Sequence, residues 1–170
     1  MDPVTVSIVI SAPREEVFDY LADIANHPEF TDHYLRDWHL TRIDSVGLGA
    51  GARFRVKAPG NRYSWADVTL TDVERPQRIV EVGRTGKSNR VRTLGVWELA
   101  PASGGGTRLS FTLQTAPATF ADRLIDALGS RAFTRRNGRR ALHRLREILE
   151  DSSQEGAARD RGRRVTVAGG

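Results

Sequence analysis

Three of the four histidines, His27, His33 and His39, recur at six-residue intervals, with Glu29 and Asp32 between the first two. Such a cluster raises metal binding first. A helical pair of zinc ligands needs a spacing of three or four residues to share a face. Six does not provide that, and the absence of cysteine removes thiolate ligation. The reading is therefore no metal site, with His33 and Tyr34 as loop residues near a pocket mouth. Acid–base chemistry has a second set of candidates in His33, Tyr63, Asp67 and Arg131. Removal of an acidic proton needs a base, and the resulting enolate needs a donor or a cation. His33, Tyr63 and Asp67 have the right groups for proton transfer, and Arg131 can hold a carboxylate or oxyanion. Each also has a plainer place: an exposed loop, a core tyrosine with its hydroxyl at the rim, a strand-edge carboxylate, a snorkelling arginine. Nucleophilic catalysis lacks a GxSxG motif. "GLGAGA" (47–52) joins two strands instead of opening a helix, so it reads as a hairpin turn and not a phosphate loop.

The elements that must position these groups follow from periodicity. Val4, Val6, Ile8 and Ile10 alternate as a strand with one buried face. Pro13 at a first helical position, then Glu15 and Glu16, open a short helix whose apolar side is Val17, Phe18 and Leu21. Asn26 and Pro28 interrupt it, and 29–34 hold another turn. Strands are expected over Leu35–Val46, Arg53–Ala58, Tyr63–Glu74, Arg78–Arg84, Arg90–Ala100 and about Leu109–Leu113, joined by hairpin turns. The Tyr63–Glu74 strand has conflicting phases: Tyr63 and Trp65 have one parity, Val68 and Leu70 the other, and a bulge would reconcile them. A long helix is expected over about 119–150. Its stripe runs through Phe120, Leu124, Ala127, Arg131, Thr134, Gly138, Ala141, Leu142, Leu145, Ile148 and Leu149. The stripe is small at Thr134 and Gly138, which leaves a cavity, a close helix–sheet contact or a kink near Gly129 and Ser130. Residues 151–170 lose the periodicity and read as a disordered Arg/Gly-rich tail.

The chain has 170 residues, enough for one domain with a core, here 1–150. Net charge is +5, and only Lys57 and Lys87 of the basic residues are not arginine. Arg131, Arg135, Arg136, Arg139, Arg140, Arg144 and Arg146 crowd one helix. They read as a solvated face, because no aromatic stacking motif accompanies them. No apolar run is long enough for a transmembrane segment, and no leader pattern precedes the first strand, so a cytoplasmic location is expected.

The order strand, short helices, six antiparallel strands, long helix is carried by "VSIVISAPREEVFDYLADIANHPEF", "VGLGAGARFRV", "DVERPQRIVEVG", "GVWELAPASGGGTRLSFTL" and "NGRRALHRLREILE". In this order the chain resembles the START-like (SRPBCC) superfamily, and within it the polyketide cyclase/dehydrase-like group. The resemblance implies an α+β helix-grip fold: about seven curved antiparallel strands around a long C-terminal helix, with an apolar pocket between them. It implies a small hydrophobic ligand, polyketide-, lipid- or quinone-like, with no cofactor and no specific nucleic acid. A cyclase or dehydratase using polar groups in the same pocket is the alternative. A second alternative is an interaction module that binds RNA or anionic lipid through the arginine-rich helix and tail. The expected ligand-binding residues are Tyr34, Trp38, Phe54, Trp65, Trp97, Phe111, Leu113, Thr134 and Gly138. A ligand pocket of this kind is expected to exceed about 300 Å³, and a solid core with no such cavity would count against ligand binding. The sequence carries no signal for oligomeric state.

Overall fold

The computed structural model describes residues 3–58, 64–116 and 131–167. Seven strands form one antiparallel sheet: β1 (Val4–Ile10), β2 (Leu35–Leu40), β3 (Gly51–Val56), β4 (Trp65–Glu74), β5 (Arg78–Thr85), β6 (Val91–Pro101) and β7 (Thr107–Ala116). Their spatial order is β1-β7-β6-β5-β4-β3-β2, a meander from β2 to β7 with β1 added beyond β7. Two short helices, α1 (Arg14–Ala22) and α2 (His27–Thr31), follow β1, and a long helix α3 (Arg131–Val167) ends the chain. The architecture is the helix-grip fold.

Alternation sets the faces. Ile79, Trp97 and Leu109 are buried on the inner face, while Arg84, Arg92 and Arg108 are exposed on the outer one. Val17, Phe18 and Leu21 of α1 and Phe30 of α2 pack on the inner face, together with Leu142, Leu145 and Leu149 of α3. Each such leucine contributes roughly 1.5–3 kcal/mol on burial. Pro13 precedes α1 as its N-cap residue, so the first helical position is Arg14. Asp23 ends α1 in extended backbone, and its carboxylate accepts from the Ala25 amide at 3.1 Å, restarting the chain as a 3-10 turn into α2. The Tyr20 hydroxyl donates to Glu29 at 2.6 Å and ties α1 to α2.

Several expectations need correction. β2 ends at Leu40, not Val46. The chain bends through 41–45, with Ile43 fully exposed, and Val46 returns only as an isolated bridge to Asp23. In β4 the phase belongs to Ala66, Val68 and Leu70, which are buried. The register shift lies beyond them, between Leu70 and Asp72, so it does not turn Trp65 inward. The helix expected from about 119 is described from Arg131; Phe120, Leu124 and Ala127 lie outside the described residues, as does Tyr63. At the other end α3 is described to Val167, past the point near 150 where the apolar periodicity is lost. No proline follows Pro117 to stop it, and the Ser153 hydroxyl, 2.8 Å from the Leu149 carbonyl and 3.0 Å from Glu16 Oε1, sits where the helix still touches α1.

Candidate functional site

Between the sheet and α3 lies a cavity of ≈ 60 Å³. Each wall is placed by a local rule. Strand parity turns Phe54, Val68, Glu81, Trp97 and Phe111 inward from β3 to β7. A shift in the β2–β3 register, with Asp37 at φ 53°, brings in Trp38. Helix α2 contributes His27, Phe30 and Thr31, and α3 closes the space with Gly138, Ala141 and Leu142.

The aromatic walls are paired. Trp38 stacks on Phe54 with centroids 4.7 Å apart, and Trp97 on Phe111 at 4.1 Å. His27 bridges the pairs, 5.8 Å from Trp38 and 6.1 Å from Trp97. The small-residue centre of α3 does two things at once. Gly138 lines the cavity, and a Cβ there would stand 3.2 Å from Val6 Cγ2, so the helix also makes its close approach to β1.

Several polar groups sit in this apolar wall. Glu81 pairs across the sheet with Gly95, and its side chain lies over the glycine: a Cβ on Gly95 would come within 2.5 Å of Glu81 Cγ and 2.8 Å of Cδ. The Trp97 indole donates to Glu81 Oε2 in a long bond of 3.4 Å. Burial pushes the Glu81 carboxyl up to about 7, against the indole hydrogen bond, which lowers it. The exposure that Glu81 retains is toward the cavity it lines. His27 is 4 % exposed, and burial lowers its imidazole to about 4, so it is neutral at pH 7. Its Nε2–H donates to the Leu21 carbonyl at 2.9 Å, which leaves Nδ1 as the acceptor of the ring. Trp38 Nε1 is buried with no hydrogen-bond partner among the described residues. Burial, then the Glu81 charge, raises the Tyr34 phenol.

The expected site residues divide accordingly. Tyr34, Trp38, Phe54, Trp97, Phe111 and Gly138 line the cavity. Leu113 lies on the inward parity of β7 opposite Gly95, and Thr134 one turn before Gly138, but neither is in the wall. Trp65 is on the outer face, 39 % exposed, with the Arg53 and Arg55 guanidinium groups 5.3 and 5.6 Å from its ring centroid. Asp67 has the same outward parity and accepts from the Arg84 amide at 3.0 Å. Arg131 is exposed at the start of the described part of α3. His33 packs on Tyr34 at 4.8 Å and turns toward α3, where Arg144 reaches its Nδ1 at 3.4 Å and also pairs with Asp32. Burial lowers the His33 imidazole. The three histidines thus part company: His27 into the core, His33 toward α3, and His39 in β2 with its Nδ1 3.0 Å from the Asp37 carbonyl. Among the described residues no three metal-ligating side chains gather. His27 is a buried residue of α2. Glu81 escaped notice because it stands in an apolar run, "RIVEVG". The signal was its parity, shared with Ile79 and Gly83.

The model of the family described as polyketide cyclase / dehydrase and lipid transport matches residues 1–150. No curated protein matches the chain in sequence. Among solved structures, a Thermus thermophilus protein is similar with a TM-score of 0.67 and 19 % identity, over 89 % of this chain and 99 % of that one. A Helicobacter pylori protein has a TM-score of 0.66 at 9 % identity, over 87 % and 88 %. Truncated norcoclaurine synthase from Thalictrum flavum has a TM-score of 0.65 at 8 % identity, over 87 % and 92 %. At these identities the likeness is one of fold.

Proposed function

The chain belongs to the polyketide cyclase / dehydrase and lipid transport family, and from that premise we propose that it binds a small hydrophobic or aromatic metabolite, polyketide-, lipid- or quinone-like, between the sheet and α3. The observation that carries this reading is the Trp38 indole, buried and without a hydrogen-bond partner among the described residues, in a wall of stacked aromatic rings. A buried donor left unpaired costs about 1–3 kcal/mol, and an acceptor on a bound molecule would remove that cost. The cavity of ≈ 60 Å³ is smaller than the 300 Å³ expected. It has room for a head group of a few heavy atoms, so a larger ligand must part α3 from the sheet. Native mass spectrometry of protein purified from its own source tests the reading: a retained small molecule supports it. A bare mass, together with no change in tryptophan emission across a panel of aromatic and lipid probes, would end it. A cytoplasmic location belongs to the same proposal and is checked by fractionating source cells.

A second reading has its own observation. Glu81, titrating near 7 and facing the same space as neutral His27, is suited to proton transfer. The alternative is thus a cyclase or dehydratase in which Glu81 exchanges a proton with substrate. The name of norcoclaurine synthase is a precedent by fold analogy only. A family-type polyketide turned over by the wild type and not by Glu81→Gln supports it; equal turnover by both removes Glu81 from the chemistry.

A further inference from the structure

We propose that the polar end of the ligand is a compact organic cation, an ammonium group on an apolar or aromatic body, held with the Glu81 carboxylate as its counter-ion inside an aromatic enclosure. The inference rests on the pocket reading above and narrows its ligand class.

Charge distribution is the first argument. The chain carries 26 lysines and arginines, yet among the described residues no lysine or arginine lines the cavity. Glu81 is the sole carboxyl among those residues. Among the described residues its hydrogen-bond donor is the neutral Trp97 indole at 3.4 Å, and no positive partner of the kind that usually accompanies a buried carboxylate stands in the wall they form. The fold nevertheless makes space for this group, because Gly95 provides the bare backbone over which the side chain lies.

The surroundings are the second argument. Trp38, Trp97, Tyr34 and Phe111 face the same space as Glu81. Aromatic faces attract a desolvated cation, and such enclosures recognise substituted ammonium groups. His27 lines the same cavity, and with its Nε2–H spent on the Leu21 carbonyl its Nδ1 is the ring's acceptor for an ammonium N–H. The volume of ≈ 60 Å³ suits a head group better than a whole metabolite.

Leu70 of β4 and Gly95 of β6 pair with Glu81 across the sheet, and Trp97 of β6, Phe111 of β7, His27 of α2, Tyr34 after it and Ala141 of α3 line the same cavity. Of these His27 and Tyr34 titrate, and both are neutral between pH 5 and 8. Only Glu81, pushed up to about 7, changes charge in that range. A cation binds the ionised form. Its affinity therefore falls by about tenfold per pH unit below 7 and levels off above it.

Choline and its neutral isostere 3,3-dimethyl-1-butanol test this, with the three tryptophan indole N–H signals followed by NMR. At pH 8 choline is expected to move the Trp38 and Trp97 signals, leave the outward Trp65 signal in place, and bind at least about tenfold more tightly than the alcohol. The preference should shrink toward unity at pH 5.5 in the wild type, and at pH 8 in Glu81→Gln. Equal binding of both probes at pH 8, or a preference that survives both pH 5.5 and Glu81→Gln, overturns the cation while leaving the pocket intact. If choline moves neither inward signal the cation also falls, and if 2-naphthol moves neither the pocket reading falls with it.

Discussion

At the scale of single residues, Glu81 and His27 make opposite demands on stability. Between pH 4.5 and about 7 the folded Glu81 keeps a proton that the unfolded chain has released, so its contribution declines as pH rises through that window. Between about 4 and 6.5 the unfolded chain holds a His27 proton that the fold excludes, so its contribution grows as pH rises. Each limb is worth about 3 kcal/mol across its window, and the two nearly cancel where they overlap. The wild type should therefore show little net slope from these groups between pH 4.5 and 6.5. Glu81→Gln uncovers the His27 limb, gaining up to about 3 kcal/mol from pH 4 to 6.5 and exceeding the wild type at pH 8. Urea denaturation across that range reads both effects; identical profiles for the two proteins would refute the buried-carboxyl account. Gly95→Ala attacks the same group from below. Its methyl must push the Glu81 carboxyl aside, and the Trp97 indole signal should shift as its 3.4 Å bond is lost. An unmoved indole signal in that variant would mean that Glu81 is not held there.

Among elements, the contact of α3 with β1 turns on Gly138. A mid-helix glycine costs about 1 kcal/mol relative to alanine, yet an added Cβ would stand 3.2 Å from Val6 Cγ2, tight enough to need the strand or helix to give. Gly138→Ala alone should be neutral or destabilising, whereas in a Val6→Ala background it should stabilise by up to about 1 kcal/mol. Additive single and double variants in chemical denaturation would show that Val6 is not what keeps the position small. The Arg144–Asp32 pair between α3 and the end of α2 is different in kind. Asp32 is largely exposed, so the pair is worth under about 1 kcal/mol. Element order, strand parity and the Ala141–Leu149 part of the α3 stripe were legible because each repeats over several residues. Gly95, Trp97 and Leu99 show this: one period placed all three inward. Trp65 was misplaced because size argued against phase, and in β4 the phase of Ala66, Val68 and Leu70 won. Glu81 was passed over for the converse reason. Its parity was inward, but a carboxyl is not expected there, and the glycine that admits it is fourteen residues away in sequence.

For the whole molecule the governing fact is that a large helix and a curved sheet meet around a space too small for a metabolite. Sheet and helix are each internally hydrogen-bonded, so the seam between them is where the structure can open without breaking a ladder. Among the described residues the seam before Ala141 is made by Gly138 against Val6 and by Phe133 against Tyr34, while Leu142, Leu145 and Leu149 pin the other end. Ligand entry should thus spread the Gly138 end and leave the leucine end closed. A ligand held only by the folded state adds about 2.7 kcal/mol at a hundred times its Kd. For a chain of this size that is a rise in Tm of about 5–10 °C. In the Val6→Ala background, which relieves the contact at its Cβ, Gly138→Leu should fold with its side chain in the cavity. It should abolish the rise by occupying the head-group position, whereas Val6→Ala alone keeps it. Leu149→Ala, at the pinned end, should lower the starting Tm by a cavity cost of about 2–5 kcal/mol and leave the ligand-induced rise in place. Differential scanning fluorimetry of these variants and the wild type, with and without the retained molecule, reads both outcomes. A rise preserved in the Gly138→Leu variant would place the ligand somewhere other than the seam between the sheet and α3.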